Sequence, residues 1–365
     1  NKLYREHLIR RNNIQTIMLG FSDGTKDGGY LTANWSILKA KESLTKVSRK
    51  YGIKVLFFDG RGGPPARGGG NTHQFYSSLG DFIESDEIQL TVQGQTISSN
   101  FGTIKSSQYN MEQLISSGIK NRILSNSEVF NKKNRKTIEK LSSISYNSYK
   151  DFKSHPSFIP YLEKMSTIKY YSKTNIGSRP SKRGVKGEAF NFDKLRAIPF
   201  VGSWNQLKQN VPGFYGLGTS INYFYKNNKI KDVKLLYEEV PFFRALVSNS
   251  MMSLTKSFFE LTSYMSEDEE FGEFWKIIHD EYILTKKMLL KISNFKELME
   301  NEPANKLSIQ TRENVVMPLI TIQQYALQIV KEIESGNLDN KRISVFEKII
   351  TRSLYGNINA SRNSA

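Results

Sequence analysis

The 365-residue sequence contains no cysteine. That single absence excludes a disulfide scaffold, a thiolate zinc site and a cysteine nucleophile. Histidine is scarce, and His7, His73, His155 and His279 fall in no metal-ligand spacing such as H-E-x-x-H. Any metal here would be held mainly by oxygen ligands, which points to Mg²⁺ or Mn²⁺. Long hydrophobic runs are missing as well. The stretch 315–322 is typical of the longest, whereas a bilayer crossing needs about 20 apolar residues. The charged opening NKLYREH carries no signal-peptide pattern. The expectation is a soluble, cytoplasmic protein that contacts no membrane. Glycine at 25 and proline at 10 are ordinary counts, so collagen-like and low-complexity readings fall away.

What is present is positive charge and apolar mass. Lys and Arg number 52 against 35 Asp and Glu, a formal charge of +17. Such an excess suits a nucleic-acid binder, an enzyme for anionic substrates, or part of a larger chain whose remainder is acidic. The cations are dispersed, with the densest runs at 132–136 and 179–186, and no zinc-finger, RNP or basic-zipper pattern occurs. A dedicated nucleic-acid surface is therefore not expected. Hydrophobic residues make up 38% and aromatics 12%, enough for a sizeable core and too much for intrinsic disorder.

The first half alternates apolar runs with turns. The spacing predicts a strand over 14–20, turn chemistry at Ser22-Asp23-Gly24, a helix over 29–49 and a second strand over 53–58. Strand, helix and strand in this order form a βαβ unit with parallel strands. Further strands are expected at 88–92 and 196–200. The 29–49 helix is apolar on two sides, which places it between layers. From about residue 200 onward the pattern is helical, with helices expected over 217–226, 242–264, 270–293, 309–335 and 343–355. The resulting expectation is an α/β, helix-rich fold: a strand-containing part over 1–205 and a mainly helical region over 206–365.

Three segments could carry chemistry. DGRGGPPARGGG at 59–70 places six glycines in twelve positions, where glycine permits close backbone approach and lets N–H groups surround an anion. Arg61 and Arg67 could converge there on one phosphate or carboxylate; a surface loop with solvated arginines remains the plain alternative. FSDGTKDGG at 21–29 sits where a strand hands over to a helix. Asp23 could ligate a hard cation and Lys26 could hold an anion, or the segment is a simple turn. GSRPSKR at 177–183, followed by LRAIPF at 195–200, adds Arg179 and Arg196. Arg196 interrupts an apolar run and must find a partner if buried.

Taken in register, these segments resemble the C-terminal part of the phosphoenolpyruvate carboxylases. The family's S-D-S-x-K-D-A-G is matched at 22–29, its H-G-R-G-G-x-x-G-R-G-G at 59–69 and its V-Q-G-E-x-I at 92–97. Its G-S-R-P-x-K-R and L-R-A-I-P-W are matched at 177–183 and 195–200. The resemblance implies part of a β/α barrel related to the TIM barrel, Mg²⁺ or Mn²⁺ as cofactor, and carboxylation of phosphoenolpyruvate by bicarbonate to oxaloacetate and phosphate. By the same matching, Asp23 is a metal ligand and Lys26 lies by bicarbonate. Arg61, Arg67, Arg179 and Arg196, with Gly68 and Gly69, hold the phosphate and the developing carboxyphosphate. Lys256, Arg312 and Asn363, with Arg67 shared, match a separate inhibitor site for aspartate or malate.

The match also implies a homo-oligomer, tetrameric in the family, and an N-terminal part carrying a catalytic histidine, a second acidic metal ligand and another arginine. A chain lacking these is expected to be inactive alone. The sequence departs from the pattern in three places. Asp59 stands where the family has histidine, Pro64-Pro65-Ala66 stiffens the loop, and the chain ends in Asn363-Ser364-Ala365. A non-catalytic anion-binding or regulatory module of the same descent is the competing reading.

Overall fold

The computed structural model describes residues 1–92, 94–123, 130–171, 173–174 and 192–361. Three parallel strands form its sheet, in the order β1 (Ile14–Gly20), β2 (Lys54–Gly60), β3 (Ile88–Leu90). Ile14 stands opposite Lys54 and Gly20 opposite Gly60, while Phe57 pairs Ile88 and Asp59 pairs Leu90. The central strand buries Val55, Leu56, Phe57 and Asp59, as a strand flanked on both edges should. Among the described residues the sheet does not close into a barrel; the rest of the regular structure is helical. No described helix is long and apolar enough to cross a membrane.

The crossover between β1 and β2 contains two helices, Phe21–Gly28 and Tyr30–Lys50. Gly29 separates them at φ +81°, with Tyr149 3.1 Å from where its Cβ would stand. The turn expected at 22–24 is thus the first turn of a helix, started directly by the strand end. The Tyr30–Lys50 helix buries Leu31, Trp35, Ile37 and Leu38 on both sides over its first half, and Val47 near its end is exposed. It lies between layers only where the sheet and the Lys132–Lys153 helix face each other across it.

The strand expected at 196–200 is a helix, Ala197–Gln206, with Arg196 at its N-cap. Five apolar residues do not distinguish a strand from a buried helix start, and Pro199 in a first turn forfeits no intrahelical bond. The helix expected over 242–264 ends at Thr255, and a 3₁₀ segment, Phe259–Glu267, follows. Helices Leu217–Lys226, Gly272–Ser293, Pro303–Glu334 and Ile343–Ser361 complete the helical region. The buried Glu281 carboxylate accepts from the backbone N–H of Gly216 at 3.0 Å and of Thr219 at 3.2 Å. It thereby satisfies donors at the start of the Leu217–Lys226 helix that would otherwise be orphaned. One continuous apolar cluster runs from Phe21 through Trp35, Phe152 and Phe242 to Ile309.

Candidate functional site

Because the strands are parallel and in register, their carboxyl ends lie side by side. β1 delivers the Phe21–Gly28 helix there, β2 delivers the glycine-rich loop, and β3 delivers Thr91, whose N–H donates to Asp59 O at 3.2 Å. The loop is folded tightly on itself around a 3₁₀ turn at Pro65–Arg67. The N–H groups of Gly62, Gly68, Gly69 and Gly70 donate to the carbonyls of Arg67, Pro65, Pro64 and Gly63 at 2.7–3.1 Å. These glycines serve close packing, and their amides do not form an open anion nest. A Cβ on Gly68 would lie 2.4 Å from that of Phe21, and one on Gly69 only 2.0 Å from Gly63 O.

With the amides engaged, the arginine side chains are the available donors. Arg61 is 4% exposed. Its Nε donates to Gly68 O and its Nη2 to Gly69 O at 3.4 Å, leaving Nη1 without a partner among the described residues. The guanidinium lies 4.3 Å from the Phe75 ring centroid, 5.2 Å from Tyr76 and 5.5 Å from Phe21. Arg67 is 3% exposed, and its Nε and Nη1 have no partner among the described residues. Its side chain folds across Gly62, where a Cβ would come within 2.8 Å of Nε. Burial pulls its pKa down to about 10, opposed by the nearby Tyr171 hydroxyl and Asp23 carboxylate, so it stays a cation at neutral pH. The buried Tyr171 hydroxyl also has no described partner, and Gly202 makes room for it: a Cβ there would lie 1.9 Å from the oxygen.

Asp23 is exposed in the first turn of its helix, close enough to Arg67 to act on its charge. Lys26 is buried, with Nζ 2.6 Å from Asp27 Oδ1 and 4.4 Å from the Phe192 ring centroid. No group of three His, Asp or Glu side chains among the described residues could hold a metal ion. Asp23 alone is the low end of what holds Mg²⁺, which is usually bound by one or two carboxylates with waters filling its remaining positions.

A cleft of about 430 Å³ opens beside the loop. Arg61, Gly69, His73, Lys256 and Arg312 line it, so the loop and the two helix-borne cations share one opening. Lys256 sits at the C-cap of the Pro241–Thr255 helix, where the helix dipole favours a cation. Arg312 is braced by its own helix, with Nε donating to Ser308 O at 3.0 Å and Nη2 to Ser308 Oγ at 2.8 Å. Burial first, and then the charges of Arg312 and Lys208, bring the Lys256 pKa down to about 8 against a smaller pull from Glu313. Lys208 is buried in a left-handed backbone conformation at φ +55° and pairs with Glu313.

Arg196 is half-buried, and the helix it caps packs against both the Asp23 helix and the Arg67 turn. Arg179 and Asn363 lie outside the described residues. Sequence reading missed Tyr171, Lys208 and Glu313, which stand beside the expected cations. It also missed Lys41 and Tyr76. None of these offers a local signal: Lys208 stands among Gln206, Gln209 and Asn210, and only folding buries that stretch. A family model for phosphoenolpyruvate carboxylase matches residues 1–360. The chain belongs to that family.

Proposed function

We propose that this member of the phosphoenolpyruvate carboxylase family binds phosphoenolpyruvate at the carboxyl ends of its strands and contributes to its carboxylation by bicarbonate. The observation that carries this reading is the pair of buried loop arginines: Nη1 of Arg61 and Nε and Nη1 of Arg67 have no partner among the described residues. Buried N–H donors without acceptors are costly, and a phosphate or carboxylate removes that cost with charge-assisted bonds. In the proposed reaction the phosphoryl group passes to bicarbonate, giving carboxyphosphate and the pyruvate enolate. Arg61 and Arg67 hold the phosphoryl oxygens, and Lys26 stands by for bicarbonate. Arg196 and Arg179 are the further cations that the family pattern assigns to the developing carboxyphosphate. The residues work by position and field, without a nucleophilic side chain.

Mg²⁺ or Mn²⁺ would polarise the enolate oxygen when bound, with Asp23 as one ligand. Lys256 and Arg312, which line the cleft, belong to the proposed aspartate or malate site, for which the family pattern also gives Arg67 and Asn363. The one-carboxylate metal site favours a second reading, an anion-binding or regulatory module without turnover. Calorimetry with phosphoenolpyruvate and a coupled oxaloacetate assay on the same preparation separate them. Binding is expected in both. Turnover appears only when the second acidic ligand is supplied under the first reading and never under the second, and absence of phosphoenolpyruvate binding rejects both.

A further inference from the structure

Asp59 is the last side chain of β2 before the loop, and it is 1% exposed, as is Lys41. Lys41 Nζ lies 2.6 Å from Asp59 Oδ2, and the Tyr76 hydroxyl donates to the same oxygen at 2.6 Å. One carboxylate oxygen thus ties the Tyr30–Lys50 helix, the end of β2 and the Thr72–Tyr76 helix together. The Lys41 ammonium also lies 5.0 Å from the Phe57 ring centroid and 5.7 Å from Tyr76. The Tyr76 ring is in turn one of the three that support the Arg61 guanidinium. A buried ion pair adds little net stability over apolar residues of the same volume, and its best-attested use is to specify geometry. Here the geometry it specifies is the platform under Arg61.

We propose that Lys41 and Asp59, acting through the Tyr76 hydroxyl, are positioning residues that hold Arg61 against the glycine-rich loop. Asp59 Oδ2 is then a structural acceptor shared by Lys41 and Tyr76. The catalytic consequence rests on the reading that Arg61 holds the substrate phosphate, but the positioning itself does not.

The test uses the whole chain labelled with ¹⁵N at arginine. In the parent protein the Arg61 Nε–H signal is expected to be displaced by ring currents from three aromatic rings and protected by its bond to Gly68 O. Tyr76→Phe keeps the ring and removes only the tie; Asp59→Asn removes the charge. Both are expected to move the Arg61 signal toward the solvent-exposed arginine position, to speed its exchange at least tenfold and to weaken phosphoenolpyruvate binding about fivefold. Tyr161→Phe is the control, since Tyr161 is equally buried and bonds Gln209 elsewhere in the core. It is expected to lower the melting temperature without moving the Arg61 signal. An unmoved Arg61 signal in Tyr76→Phe overturns the proposal, as does an equal movement in Tyr161→Phe. If Asp59→Asn does not fold, Tyr76→Phe decides alone. A parent protein that binds no phosphoenolpyruvate, with an Arg61 signal that still follows Tyr76, leaves the positioning in place and removes the substrate reading.

Discussion

The molecule keeps desolvated positive charge in two regions by opposite means. At the strand ends, Arg61 is supported by three ring faces and two loop carbonyls, and Lys41 by a buried carboxylate. In the cleft wall, Lys256 has like charges for neighbours, and its affinity for the proton falls to about 8. The first arrangement is held by neighbours that are in place before any ligand arrives, so its geometry is preorganised. The second is crowded by like charges against a smaller pull from Glu313, so above a pH of about 8 an anion entering the cleft should favour the protonated form of Lys256. The lesson is that a cation held by neighbours already in place and a cation crowded by like charges can line one opening and still respond differently to conditions.

The comparison can be broken most sharply at its compensated side. Lys41→Met leaves Asp59 buried without its partner and should cost about 3–5 kcal/mol in urea unfolding. Replacing Asp59 by Leu in the same chain should recover most of that loss. Arg61→Ala in the full enzyme should lower turnover by at least about two decades, near 3–4 kcal/mol of transition-state stabilisation. Near-normal turnover in the coupled oxaloacetate assay would remove Arg61 from the machinery. Gly69→Ala forces a methyl group against Gly63 O and should destabilise by about 1–3 kcal/mol through overpacking, visible as a lower urea midpoint.

The crowded side is probed by pH. Lys256 carries charge below about 8 and loses it above, so aspartate or malate binding should weaken as pH rises through that value, by up to about tenfold per unit. Its depressed pKa also means that the unfolded chain holds more protons between about 8 and 10.5, so Lys256 makes stability rise with pH in that window. Titration calorimetry from pH 6.5 to 9.5 (a range set by about 1.5 units either side of the transition) checks the binding, and Lys256→Met should flatten the profile. The smallest effect belongs to the exposed Lys276–Glu273 pair, 2.7 Å apart on one helix face. Lys276→Ala should leave both binding and the urea midpoint unchanged, because exposed pairs contribute little.

Much of the fold was legible along the chain. β1 was expected over 14–20 and occupies those residues, and the Leu217–Lys226 helix likewise matches its expected span. Both have a clear period and clean stop signals. The segment 196–200 was misread because Arg196 and Pro199 suit an extended run as well as a helix start; burial against the Asp23 helix and the Arg67 turn selected the helix. The break at Thr255 was hidden by apolar periodicity that continues through the 3₁₀ segment. At the site, the arginines and the glycine density were visible in the sequence. The role of the glycines was not, because whether an amide faces a ligand or a neighbouring carbonyl depends on how the loop closes.

The sequence by itself determined the chemistry on offer: a cysteine-free chain with a +17 excess, glycine-spaced arginines after a parallel strand, and motifs in family register. Residue type and local spacing are sufficient for that, since they set charge, backbone freedom and period. Only the tertiary structure decided which charges are compensated. Lys41 and Asp59 are 18 positions apart and Lys208 and Glu313 are 105 apart, and nothing local marks them as pairs. Burial brings them together, and the cost of a lone charge in a low-dielectric interior keeps them there.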